Sequence, residues 1–141
     1  MTIHHKVRVF VFNWEEGRIR YLLLKKAPST EHTWGPVAGP VNLGEHLQEA
    51  AVREVREETG ILRPVHLIDL EHTQRLVFGD EGLVEWEFGY QAPGPTRALE
   101  LAPSPEIVEF HWLDFDQAYD RLETPEDRTG IVRLRMRLQA G

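Results

Sequence analysis

Glu54, Glu57 and Glu58 stand at positions i, i+3 and i+4 of a stretch, Glu45 to Thr59, that holds neither Gly nor Pro and stops at Gly60. Such a stretch predicts a helix closed by a glycine cap. On a helix this spacing makes the three carboxylates neighbours, and like charges so placed cost a few tenths of a kcal/mol each even in water. With the ~100° turn per residue of an α-helix, Leu47, Ala51, Glu54 and Glu58 fall within about 60° of one another, while Glu49, Arg53 and Arg56 fall on the far side. One face thus begins apolar and ends in carboxylates. Half-burying them would cost far more than exposing them. A hard divalent cation removes that cost, because Mg²⁺ and Mn²⁺ are held by carboxylate oxygens and water. Taken alone, a helix rich in Glu and Arg is most often a solvated face with compensating charges, so the residues around it decide.

The elements that must position this helix follow from the flanking sequence. Val7 to Phe12 (VRVFVF) and Arg20 to Lys25 (RYLLLK) predict two strands of a hairpin turned at Asn13 to Gly17. Residues 27 to 44 carry Pro28, Gly35, Pro36, Gly39 and Pro40, which predicts a long loop ahead of the helix, and long loops in small domains are often functional. Further strands are expected at Val65 to Leu70, Thr73 to Phe78, Leu83 to Tyr90 and Ile107 to Leu113, with a turn at Gly79 to Gly82 and a Pro-rich loop from Pro93 to Pro105. Residues 114 to 122 predict a short helix, and Pro125 opens a terminal helix with Ile131, Leu134 and Leu138 on one stripe. Strands grouped around an early and a late helix predict an α+β fold, an α/β/α sandwich with a mixed sheet.

Residues Gly39 to Ile61 read GPVNLGEHLQEAAVREVREETGI. Gly39, Glu45, Arg53, Glu54, Val55, Glu57, Glu58, Gly60 and Ile61 match without a gap the Nudix box, Gly-x5-Glu-x7-Arg-Glu-U-x-Glu-Glu-x-Gly-U with U aliphatic. At average composition chance gives such a match on the order of once in ten million chains of this length. The chain resembles the Nudix hydrolases, and the flanking strand order extends that resemblance loosely over its whole length. The resemblance implies a metal-dependent hydrolase that cleaves a nucleoside diphosphate linked to another moiety. On it, Glu54, Glu57 and Glu58 hold Mg²⁺ or Mn²⁺, the Gly39 carbonyl is a further ligand, and Arg53 and Glu45 orient the carboxylates through salt bridges.

Val37-Ala38-Gly39 stands where family members usually carry Pro-Gly-Gly. If the middle position needs a positive φ, Ala38 is strained there. A similar substitution, and the segment Glu106 to Asp114, resemble the dihydroneopterin triphosphate and dATP pyrophosphohydrolase subgroup. That likeness makes Glu106 the candidate for an extra metal ligand or general base outside the box, ahead of Glu85, Glu87, Glu100 and Glu109. Glu85 and Glu87 alternate with Val84, Trp86 and Phe88, which predicts that they face solvent.

Trp34, in the loop before the box, is the expected substrate contact, whereas Trp86 and Trp112 on strands read as core. The seven His show no zinc spacing, and exposed Arg75, Lys25 or Lys26 could reach a phosphate. A rival of another class is a non-catalytic nucleotide sensor or partner-binding domain on the same scaffold, against which the retained carboxylates argue. A prenyl diphosphate isomerase on this scaffold would imply a catalytic Cys, and the chain has none.

The 141 residues make a single domain, residues 1–141, and the net charge of −7 opposes binding to nucleic acid or anionic membranes. An acidic protein that handles phosphates needs a positive mediator, and bound cations supply one. Met1 to Phe12 lacks the apolar run of a signal peptide, which predicts a cytoplasmic protein. The sequence leaves a homodimer open.

Overall fold

Along the first strand, Val7, Val9 and Val11 alternate with Phe10 and Phe12, and both sets are buried. A strand with two apolar faces needs cover on both. In the computed structural model, which describes residues 1–27, 34–94 and 101–140, that cover is a helix on one face and two on the other. The elements run β1 (Thr2–Glu15), β2 (Arg18–Lys26), β3 (Trp34–Gly35), β4 (Val37–Pro40), α1 (Leu47–Thr59), β5 (His66–Phe78), β6 (Glu81–Gln91), β7 (Ile107–Leu113), α2 (Phe115–Arg121) and α3 (Pro125–Ala140). The seven strands form one mixed sheet, in which β6 runs parallel to β1 and the other pairings are antiparallel.

Ala50, Ala51 and Val55 of α1 pack on Val7, Val9, Leu22, Leu24 and Phe88. On the opposite face Ala118, Leu122, Ile131 and Leu134 pack on Phe10, Phe12, Tyr21 and Leu23. The expected α/β/α sandwich is thus the observed one. No helix among the described residues is long and apolar enough to cross a membrane.

Three expectations change in detail. The loop ahead of α1 contains β3 and β4, which sit where β1 and β2 part: β3 pairs with Leu24 and Lys25, and β4 with Lys6 to Val9. Gly and Pro disguised them, because short strands beside a fork tolerate both. The two strands expected between Val65 and Phe78 are one, β5, with a register shift between Asp69 and Thr73 and Glu71 at φ 54°. Glu85 and Glu87 do not face solvent; they are 8% and 1% exposed. The face on which they lie is covered by α3, so alternation here separates two buried faces. Arg8 Nη1 donates to Glu85 Oε2 at 3.2 Å, Arg8 also pairs with Asp127, and His72 Nδ1 lies 2.7 Å from Glu87 Oε1. Burial raises the Glu87 carboxyl above its ordinary pKa, against the lowering by His72 and Arg8.

The seat of α3 on the sheet is set by its one glycine. A Cβ at Gly130 would lie 2.6 Å from the Phe10 ring. Alanine in a helix normally gains about 0.5–1 kcal/mol over glycine, but overpacking a core costs about 1–3 kcal/mol. Gly130→Ala is therefore expected to lower stability, measured as a drop in denaturation midpoint. A rise would mean that α3 shifts freely on the sheet.

Candidate active site

The guanidinium of Arg53, on α1, ties three segments together: β4, the loop that follows it and α1 itself. Its Nε and Nη2 donate to the Glu45 carboxylate at 2.8 and 3.0 Å, and Nη2 also donates to the Pro40 carbonyl at 2.8 Å. Nη1 donates to Glu54 at 2.8 Å and to Glu57 at 3.1 Å. The loop carrying Glu45 is fastened in turn, since Glu45 accepts from the Asn42 backbone N–H. The Arg53 hydrogen bond holds the Glu45 carboxyl below its ordinary pKa, and Glu45 in return holds Arg53 firmly protonated. The helical stripe set Arg53 on the far side from Glu54, yet its long side chain reaches round to that carboxylate as well as to Glu57, its i+4 neighbour.

Glu54 and Glu58 are buried, at 6% and 3% exposure. Gly39 makes room for the first: a Cβ there would lie 2.1 Å from Glu54 Cδ. That close approach is the reason for glycine at this position, whose φ is not positive. Ala38 is not strained either; it lies in β4 opposite Arg8, outside the residues with positive φ. Burial is the largest cause pushing the Glu58 carboxyl up to about 7, with Lys26 opposing and Glu54 adding to it. Lys26 Nζ stands 2.7 Å from Glu58 Oε1 and donates to the Ala38 carbonyl at 3.2 Å.

The three helix glutamates do not converge on one point. Glu57 turns outward to Arg53, with its side chain 56% exposed, and among the described residues no group of three His, Asp or Glu forms a ready-made metal site. Mutual repulsion and the pull of Arg53 and Lys26 explain the spread. Glu106 is exposed at the mouth of β7, and its carbonyl accepts the Ala27 N–H at 2.7 Å, which sets it beside the end of β2 and Lys26. Glu109 is exposed too and paired with His111. Glu100, like His32, lies outside the described residues.

A cavity of about 510 Å³ opens beside Ala38 and Lys26, with Trp34, Lys6, Arg8, Glu85 and Asp127 among its walls. The Trp34 ring is flanked by Arg121 at 4.9 Å and by the His111 ring at 5.2 Å. Arg8 and Asp127 were not singled out for the site by the sequence, and Lys26 was read only as able to reach a phosphate. A charged residue inside the apolar run of β1 was the available signal for Arg8.

The NUDIX domain model matches residues 3–134, a span that takes in the whole Arg53 cluster and both helical layers. The chain belongs to the Nudix family. Over 101 residues it is 34% identical to the asymmetrical bis(5'-nucleosyl)-tetraphosphatase of Rattus norvegicus, covering 71% of this chain and 67% of that protein. Over 119 residues it is 33% identical to an octanoyltransferase of Myxococcus xanthus; the match covers 82% of this chain but spans about a third, 32%, of that relative's length. The structure of the E. coli dihydroneopterin triphosphate pyrophosphohydrolase superposes with a TM-score of 0.73 at 24% identity, covering 93% of this chain and 95% of that one. At that identity the likeness is one of fold.

The Nudix cluster depends on a planar fork that reaches several acceptors at once, which a lysine cannot reproduce. Arg53→Lys is expected to destabilise the domain by about 1–3 kcal/mol, the range for lost charge-assisted hydrogen bonds. Thermal denaturation reads this as a lower melting temperature. An unchanged value would show that the loop and helix hold together without the fork.

Proposed function

We propose that this chain is a Mg²⁺- or Mn²⁺-dependent pyrophosphohydrolase that cleaves a phosphoanhydride bond in a nucleoside triphosphate or another nucleoside diphosphate linked to a further moiety. The observation that carries this reading is an acidic cluster opening beside a cavity of nucleotide size. In the ion pairs of the cluster, the carboxylates of Glu45, Glu54, Glu57 and Glu58 meet Arg53 and Lys26. Four acids against two cations leave a charge of −2 when all are ionised. An all-oxygen donor set with that deficit fits one hard dication. Glu54, Glu57 and Glu58 would hold it, with the Gly39 carbonyl as a further ligand, and Arg53 and Glu45 would orient the carboxylates.

The chemistry that such an ion supplies when bound is neutralisation of charge on the phosphates. The remaining roles belong to the chain. The nucleoside end lodges in the cavity against Trp34, and the polyphosphate runs toward Lys26 at the edge of the carboxylate cluster. Water attacks phosphorus, the bond to the leaving phosphate breaks, and Glu106 accepts the proton from the water. The rat relative's name makes dinucleoside tetraphosphates the first compounds to try beside nucleoside triphosphates and dihydroneopterin triphosphate.

Released phosphate or pyrophosphate is measured across that panel with Mg²⁺ or Mn²⁺. Glu57→Gln and Glu58→Gln are expected to lower kcat by several orders of magnitude, since charge stabilisation of this kind is commonly worth several kcal/mol. Mn²⁺ is expected to raise the melting temperature of the wild type, because a ligand of the folded state stabilises it. Full turnover in excess EDTA would sink the metal mechanism, and nucleotide binding without turnover would mark a sensor instead.

The part given to Glu106 is checked separately. Glu106→Gln should cost roughly 10²- to 10⁴-fold in kcat with a smaller change in KM. Wild-type kcat in that variant would remove Glu106 from the reaction.

A further inference from the structure

Lys26 lies outside the Nudix box, at the end of β2, and yet it makes the closest contact to the most buried carboxylate of the cluster. Its Nζ is 2.7 Å from Glu58 Oε1, with side-chain exposures of 33% for Lys26 and 4% for Glu58. The same residue lines the cavity of about 510 Å³. The ammonium therefore sits on the boundary between a buried acid and an open space of nucleotide size. Its backbone is fixed on both sides, since Lys26 pairs with Ile107 and the Ala27 N–H donates to the Glu106 carbonyl. Only the side chain is free to move.

A dication held by Glu58 and an ammonium on the same carboxylate repel each other, and partial burial weakens the screening. One of the cluster's two cations must yield. Arg53 is tied to Glu45, Glu54, Glu57 and Pro40, whereas Lys26 carries a point charge on a flexible stem and holds one carboxylate and one carbonyl. Resting on the metal-dependent reading above, we infer that Lys26 is an exchangeable counterion. It neutralises Glu58 until a divalent cation takes that carboxylate, and its released ammonium then pairs with a phosphate oxygen of the substrate in the cavity. Loading of the ion thereby creates the phosphate site, and the two binding events are coupled through a single side chain.

The test uses Lys26→Gln, with Lys26→Met as a second neutral variant that keeps the packing of the stem and Lys26→Arg as the charged control. Circular dichroism establishes which variants fold. Mn²⁺ titrated calorimetrically into the protein without nucleotide should bind the neutral variants roughly tenfold more tightly than the wild type. Protons compete for Glu58 as well, but a dication gains twice what a proton gains when the ammonium is removed, so the direction holds. In saturating Mn²⁺ the nucleotide KM should rise roughly tenfold with kcat changed less, as expected for a lost charge-assisted contact to phosphate. Lys26→Arg should stay near the wild type in both. Neutral variants that bind Mn²⁺ no more tightly than a wild type that does bind it, or that keep the wild-type KM, overturn the exchange alone. A wild type that binds no Mn²⁺ overturns the metal-dependent reading and the exchange with it.

Discussion

Burying Glu54 and Glu58 side by side costs more than the neighbouring alanines and valine of α1 return by their own burial, so the surroundings of these two acids are built to offset that cost. Arg53 holds the next residue of its own helix, Glu54, Lys26 arrives from the end of β2, and Gly39 leaves open the space that Glu54 fills. The fork between β1 and β2 follows from the same demand. Without β3 and β4 in that gap, neither Gly39 nor the Pro40 carbonyl would stand against the helix. The site is in this sense the seam between a helix and a split sheet.

The other face of the sheet solves a similar problem differently. Arg8 bridges Glu85 and Asp127 below α3, and His72 stands against Glu87 beside them. Buried polar groups of this kind contribute little net stability and penalise any packing that leaves one partner unpaired. Here Arg8, Glu85 and Asp127 also give the cavity a polar wall, while Lys26 stands beside the carboxylate cluster. A nucleotide has a matching polarity, with hydrogen-bond donors at one end and anionic charge at the other.

The sequence was most readable where structure is local. The body of α1 and its glycine end follow from spacing, because a helix makes its contacts within a turn, although the helix begins at Leu47 and leaves Glu45 in the loop ahead of it. Glu85 and Glu87 were misread because a period of two shows that two faces differ and not that one of them is wet; the cover comes from α3, far along the chain. The side-chain direction of Arg53 escaped the helical projection, which places Cα atoms and leaves out the reach of a long stem. Lys26 was read only as able to reach a phosphate; its pairing with Glu58 was not legible, since that partner is brought to it only by the packing of α1 on the sheet.

The parallel pairing of β1 with β6 sets Thr2 opposite Glu81 and Phe12 opposite Gln91. Joining strands that are so distant in sequence closes a very long loop, and that entropy is lost before the contacts repay it. The β1–β2 hairpin and α1 are local and can form early, but the cavity walls at Arg8 and Glu85 meet only when β1 and β6 pair. Nascent chains must therefore pass the whole carboxylate helix out of the ribosome before the substrate cleft exists, because the cleft needs β6 paired with β1.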